Sequence, residues 1–344
     1  MFTYILKRIG LMIPTLLGAL TITFIVMQFV PGGPVEQILA EARAGGGAEG
    51  IAYKAGRDID KQQREELMKQ YGFDKPAPQR YVEMLASYAR FDLGKSFMQN
   101  KSVWELIKEK LPVSMSLGLW TFFFSYLISI PLGVAKAVRE GSRFDVVTSF
   151  AVLLGYAIPG FVLGVLLIVL FAGGTFFDWF PLRGLSSDNW DELSTLGKLK
   201  DYFWHLTLPL TCLVIQSFAV VTLLTKNTFV EEIRKQYVLV ARAKGLSQQR
   251  VLYKHIFRNA LIPLVTGFPA AFIGAFFTGS VLIETLFSLD GLGLLSYESV
   301  VRRDYPVVLG SLYLFTLLGL VVKLVSDMLY TVVDPRVQFG SVGK

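Results

Sequence analysis

The sequence predicts an all-α, polytopic membrane protein with six transmembrane helices, on three observations. Of 344 residues, 53% are hydrophobic and only 18% charged, and the mean hydropathy of +0.49 lies well outside the balance of a soluble domain. Six stretches are apolar over the roughly 20 residues that a helix rising about 1.5 Å per residue needs to cross a bilayer: 9–30, 113–135, 146–173, 206–224, 261–283 and 307–329. The charges between them divide unevenly. With both termini on one side, that side carries 15 Lys and Arg against 5 acids and the other 18 against 21, so the basic side, with both termini, is expected in the cytoplasm.

The first span follows Lys7 and Arg8 as an export signal would. Its core is too long for one, however, and it runs into Pro31-Gly32-Gly33-Pro34 rather than a small-residue cleavage site, so it is expected to be retained. The outer segment 31–112 is too long for a mere connector. Asp60 with Gln63 and Ser102 with Glu105 read as capping boxes of short helices, and Tyr81, Met84, Leu85 and Tyr88 form one apolar stripe. Residues 45–50 are flexible by composition. Segments 174–205 and 284–306 complete the outer side, and 136–145, 225–260 and the tail 330–344 the inner side.

Within the spans, Pro14, Pro131, Pro159, Pro209, Pro263 and Pro269 each remove a backbone donor and are expected to kink or loosen their helices. Gly267, Ala271, Ala275 and Gly279 form a small-residue ladder at i+4, and Gly160 with Gly164 a shorter one. Both read as helix-packing stripes, within the chain or against a second subunit. Lys323 and Asp327, four apart in the last span, read as a structural ion pair, with a proton relay as the alternative.

Several functions are excluded early. One cysteine, Cys212, and two histidines, His205 and His255, allow neither an intrachain disulfide nor a closed site of four Cys and His ligands. A nucleic-acid role is unnecessary because short-loop cations are explained by orientation. Gly94-Lys95-Ser96 imitates the end of a phosphate loop, but Ala89 stands where the first glycine belongs. Neither H-E-x-x-H nor G-x-S-x-G occurs, so no catalytic, cofactor or metal site is expected.

The inner loop is the most informative stretch. Gly245 follows a helical run ending in Lys244 as a C-terminal cap would, and Ser247 is placed to cap the next helix. Ala241 and Ala243 keep the first helix slim, and Val251, Leu252, His255 and Ile256 give the second an apolar stripe. Two readings are open: a basic projection that docks into another protein, or an amphipathic helix lying on anionic lipid.

Ala241-Arg242-Ala243-Lys244-Gly245-Leu246, followed by His255, Arg258-Asn259-Ala260-Leu261 and Pro263, resembles the cytoplasmic signature loop of the peptide, dipeptide and nickel family of ABC importer permeases. Pro31-Gly-Gly-Pro34, Asp92-Leu-Gly94 with Ser96, Leu111-Pro112, Ile130-Pro-Leu-Gly133, Ile158-Pro159, Glu284 with Phe287, and Gly291-Leu-Gly293 extend the resemblance along nearly the whole chain. Gly141-Ser-Arg-Phe-Asp145 and Phe180-Pro-Leu-Arg-Gly184 are similar to its Yej-type branch, associated with oligopeptide and microcin C uptake. The resemblance implies a type I importer permease fold in the bacterial inner membrane, paired with a second homologous permease. It also implies ABC ATPase subunits that bind ATP and Mg, and a periplasmic solute-binding protein that delivers a peptide. Ala241, Arg242, Ala243, Lys244, Gly245 and Leu246, with Arg250, His255 and Arg258, would then meet the ATPase. Val240 departs from the pattern, since relatives often carry a hydroxyl or acid there. A proton-coupled secondary peptide transporter is the rival reading, but inverted repeats, which often accompany that mechanism, are not evident.

Overall fold

The computed structural model describes residues 2–30, 33, 35–36, 65–66, 68–69, 72–174, 176–277 and 281–333. The expected features at Asp60 and Gln63, 45–50 and Gly279, and residues 334–344 of the tail, lie outside the described residues. Among those described, secondary structure is helical without a strand. The helices are α1 Phe2–Phe29, α2 Ala77–Tyr88, α3 Val103–Val138, α4 Arg143–Ala157, α5 Gly160–Phe171, α6 Thr195–Ile233 and α7 Gln236–Ala243, then the short α8 Gln248–Arg250 and α9 Phe257–Ala260 around a π-helical turn Val251–Ile256. They continue with α10 Ile262–Phe277, α11 Val281–Leu286, α12 Leu292–Val301 and α13 Tyr305–Val333.

Among the described residues four helices are long and apolar enough to span a membrane, those of the first, second, fourth and sixth expected spans. The third expected span is not one straight helix: α4 and α5 meet at a 92° bend. Ile158 adopts extended backbone, φ −83° and ψ 118°, ahead of Pro159 at the N-cap of α5. Proline disfavours helical backbone in the residue before it, so the helix ends there. In the fifth expected span, α10 covers 16 residues, and the described residues resume at α11. The other prolines do less than expected. Pro14, Pro131, Pro209 and Pro269 stay inside continuous helices, and Pro263 sits in the first turn of α10, where its missing N–H costs nothing. The helices also outrun the expected spans. Ser102 and Glu105 do form a reciprocal capping box, with bonds of 3.0 and 3.2 Å, but it opens the long α3 rather than a short helix.

The chain divides into two compact units. One comprises 2–110 and 295–320. Its α1 is almost wholly outside any core, as lipid-facing apolar helices are. Tyr88 on α2 is buried beside Tyr313, ring centroids 5.1 Å apart, and Tyr81 shares a 2.5 Å hydrogen bond with Thr21. Ser96, of the phosphate-loop lookalike, instead donates to Asp304 at 2.5 Å while the Phe97 amide donates to the same carboxylate at 3.0 Å. Gly94, at φ +77°, is thus part of a structural turn.

The other unit comprises 111–294 and 321–344. One apolar cluster gathers Leu117, Leu206, Leu210, Cys212, Ile283 and Phe287. A second gathers Val134, Ala137, Phe229, Val238, Ala241, Val251, Ile256 and Ala260, where α3 and α6 end. Small residues set the helix spacing. A Cβ on Gly133 would lie 2.5 Å from Thr225 Cβ and 2.9 Å from the Thr222 carbonyl, so α3 and α6 touch backbone to backbone. One on Gly164 would meet Leu286 at 2.6 Å, and one on Gly160 would meet Gln216 at 3.0 Å. In contrast, a Cβ on Gly267 would meet nothing within 4 Å, and Ala271 is exposed.

Candidate functional site

The candidate site is the corner between α7 and α8. α7 closes in a Schellman arrangement: the Gly245 amide donates to the Arg242 carbonyl at 2.9 Å and the Leu246 amide to that of Ala241 at 3.4 Å. This geometry requires a left-handed residue after the helix, supplied by Gly245 at φ +80°. Two residues on, Ser247 accepts from the Arg250 amide at 3.4 Å and starts α8. One helix is therefore stopped and the next begun within three residues.

Burial divides the corner into a base and a tip. Val238 and Ala241 are buried in the second cluster, with Leu246 packed against it. Arg242, Ala243, Lys244 and Gly245 are exposed, and a Cβ on Gly245 would meet nothing within 4 Å. Arg250, Lys254 and Arg258 are exposed beyond the corner, whereas His255 is half-buried. The tip is cationic, and its base is apolar and fixed.

The segment after the corner departs from the expected α-helical stripe. Its fully buried positions are Val251, Ile256 and Ala260, spaced by five and then four, because Val251–Ile256 winds as a π-helix. The wider turn inserts one residue and puts Leu252 and His255 at the margin of the buried face rather than on it. Wide turns of this kind recur at functional sites.

Behind the base lies a charge cluster that the sequence reading counts only as sidedness charges. Lys136 is wholly buried near the end of α3. Its Nζ donates to the Asp145 carbonyl at 2.9 Å, Thr148 Oγ1 at 2.8 Å and Ser149 Oγ at 2.7 Å, and pairs with Asp145 Oδ1 at 3.1 Å. Asp145 Oδ2 pairs with Lys226 of α6 at 2.7 Å. An ammonium is tolerated in such a place only when its donors are all matched, and here α4 supplies every acceptor while Lys226 of α6 pairs with the other carboxylate oxygen of Asp145. Tyr237, which opens α7, donates to Glu232 at 2.7 Å. Burial and that carboxylate push its hydroxyl up to about 12, so it stays a donor at any physiological pH.

Glu284, Phe287, Gly291 and Gly293 also come together. Glu284 is wholly buried. It accepts from the Leu294 amide at 2.7 Å and from Ser114 at 3.4 Å, and Ser114 accepts from the Leu292 amide at 2.8 Å. A Cβ on Gly291 would stand 2.6 Å from the Glu284 carboxyl carbon, so that glycine makes room for the acid. Of the remaining expected residues, Lys323 is exposed and Asp327 half-buried on α13. His205 is buried, its Nδ1 2.9 Å from the Asp201 carbonyl, a structural contact. Among the described residues no group of three or more His, Cys, Asp or Glu could hold a metal.

The family model described as binding-protein-dependent transport system inner membrane component matches residues 129–339, an interval that contains the corner, the charge cluster and the Glu284 turn. The chain belongs to that family. Within it, the chain is 56% identical over 98% of its length to the peptidoglycan transport system permease protein YejB of Agrobacterium fabrum, 99% of which is covered. It is 51% identical, at the same coverage of both chains, to the inner membrane ABC transporter permease protein YejB of Escherichia coli O157:H7. The di/tripeptide transport system permease protein DppB of Pseudomonas aeruginosa matches at 34% identity, again over 98% of this chain and 99% of its own. This family member is thus a multi-pass ABC-importer permease similar to the Yej-type proteins.

Proposed function

We propose that this permease forms, with a second homologous permease, the pathway by which a binding-protein-dependent importer moves oligopeptides across the inner membrane, microcin C-like peptides among them. Partner ATPase subunits bind ATP and Mg and grip the corner at Ala241, Arg242, Ala243, Lys244, Gly245 and Leu246, flanked by Arg250, His255 and Arg258. A periplasmic binding protein hands the solute to the opposite face, and both termini lie in the cytoplasm.

The observation that carries the reading is the division of the corner into an exposed cationic tip and a base buried against the ends of α3 and α6. A push on the tip is transmitted to the helices because close-packed side chains do not yield separately. A lipid-lying helix would need a continuous exposed apolar face beside its cations, whereas Val251, Ile256 and Ala260 are spent inside the protein.

The test is Gly245→Trp in cells expressing the whole transporter. The expected result is normal membrane insertion with uptake of labelled tri-alanine abolished, and undiminished uptake would overturn the coupling role. The proton-coupled alternative is separated by reconstituting the chain alone: tri-alanine accumulation driven by a proton gradient would favour it.

A further inference from the structure

We infer that the cavity between α3, α6 and α10 is a subsite for the amide backbone of the transported solute. The inference rests on the peptide-import reading above and adds where, and by what chemistry, the permease touches its cargo. The cavity encloses about 500 Å³, and no described residue lining it is charged. Two of its wall residues, Thr121 and Ser125 of α3, have buried hydroxyls without a hydrogen-bond partner among the described residues, and Ser125 is only 1% exposed.

Among the described residues that state recurs at the hydroxyls of Thr222, Ser311 and Ser326, but Thr121 and Ser125 are the pair that lines one cavity. A hydroxyl on a helix ordinarily returns to a carbonyl one turn back. Thr207, Thr211 and Thr225 of α6 do so at 2.7 to 2.8 Å. Thr121 and Ser125 do not, and leaving such a group dry costs about 1 to 3 kcal/mol. The cost is removed when something in the cavity supplies the partner. Across from them α6 contributes Gln216 and Ser217, while Phe122 and Tyr126 provide apolar wall.

Hydroxyls and a carboxamide both donate and accept, as each peptide amide does. Such a lining recognises a chain of amides without reading its side chains. A solute's charged end would find no counter-charge there and would pay for desolvation, so the charged termini are placed outside the cavity. A carbohydrate shares the hydrogen-bonding chemistry but lacks the one-donor, one-acceptor repeat, and the test separates the two.

The experiment uses full-length Ser217→Cys in inside-out vesicles from cells expressing the whole transporter. The native Cys212 is completely buried and serves as the unreactive background. A small water-soluble methanethiosulfonate should label the introduced thiol, and tri-alanine should slow labelling about tenfold, whereas maltotriose should not. Independently, Ser125→Ala and Thr121→Val should each raise the KM for tri-alanine uptake by up to about tenfold, the worth of one hydrogen bond, with the amount of chain in the membrane unchanged. Labelling that tri-alanine leaves unaltered, or that maltotriose slows equally, overturns the subsite. Should intact cells expressing the unmodified transporter fail to take up tri-alanine, the peptide reading falls by itself. The labelling rates still decide the cavity: protection by tri-alanine supports it, and a thiol inert to the aqueous reagent overturns it.

Discussion

Asp304 shows how a single side chain sets a pH response. Burial raises its carboxyl above the ordinary range, outweighing the bonds from Ser96 and the Phe97 amide that favour the charged form. An acid raised on folding binds its proton more tightly in the native state. Its contribution is therefore fully present below the ordinary carboxylate value and is lost as pH rises through the raised one. The unfolding temperature of the detergent-solubilised chain should fall as pH rises above the ordinary carboxylate value of about 4, and Asp304→Asn, which still accepts from Ser96, should flatten that slope. An unchanged slope in the variant would remove Asp304 as its source. Asp145 is the opposite case, a carboxylate between two ammonium groups. Asp145→Asn leaves Lys136 buried beside a neutral amide, and breaking a buried pair this way costs about 3 to 5 kcal/mol. Thermal melts should show that loss, while Arg234→Ala, which removes an exposed pair with Glu140, should cost no more than about 1 kcal/mol.

Helices in this chain are positioned by what is missing from them. Gly133→Ala would drive a methyl into Thr225 and the Thr222 carbonyl, forcing α3 and α6 apart at about 1 to 3 kcal/mol. Size-exclusion profiles and melts should register it, whereas Gly267→Ala, with open space around it, should leave the isolated chain's stability unmoved. Which features could be read beforehand follows from range. The Gly245 and Ser247 caps were legible because their bonds span three to five residues and depend on those residue types alone. The helix break at Pro159 was signalled by the residue itself, but its 92° angle was not, because α5 is seated by Gln216 and Leu286, far along the chain. The stripe after Ser247 misled because apolar residues at 251, 252, 255 and 256 satisfy an α-helical pattern while the backbone follows a wider one. The Lys136 cluster was invisible because its matched groups lie on three elements, and charges near span ends are ordinarily read as orientation signals.

Across the whole chain, the family signature residues occupy joints rather than surfaces of one kind. Glu284 and Gly291 close a turn, Gly133 sets a crossing, and Gly245 turns the corner. Lys323 and Asp327 share a face of α13 without lining the cavity described above, so Asp327→Asn should lower the yield of assembled transporter while leaving the ranking of peptide substrates as it was. Normal assembly combined with a new ion dependence would overturn the structural assignment. The π-helical turn has a consequence of another sort. Val251, Ile256 and Ala260 would lie four apart throughout if one link between the first two, such as the exposed Tyr253, were absent, and the strand of backbone could then wind regularly with the same inward face. Each α-helical residue turns the chain by about 100°, so that spare link decides the compass bearing at which the polypeptide leaves the corner and enters α10.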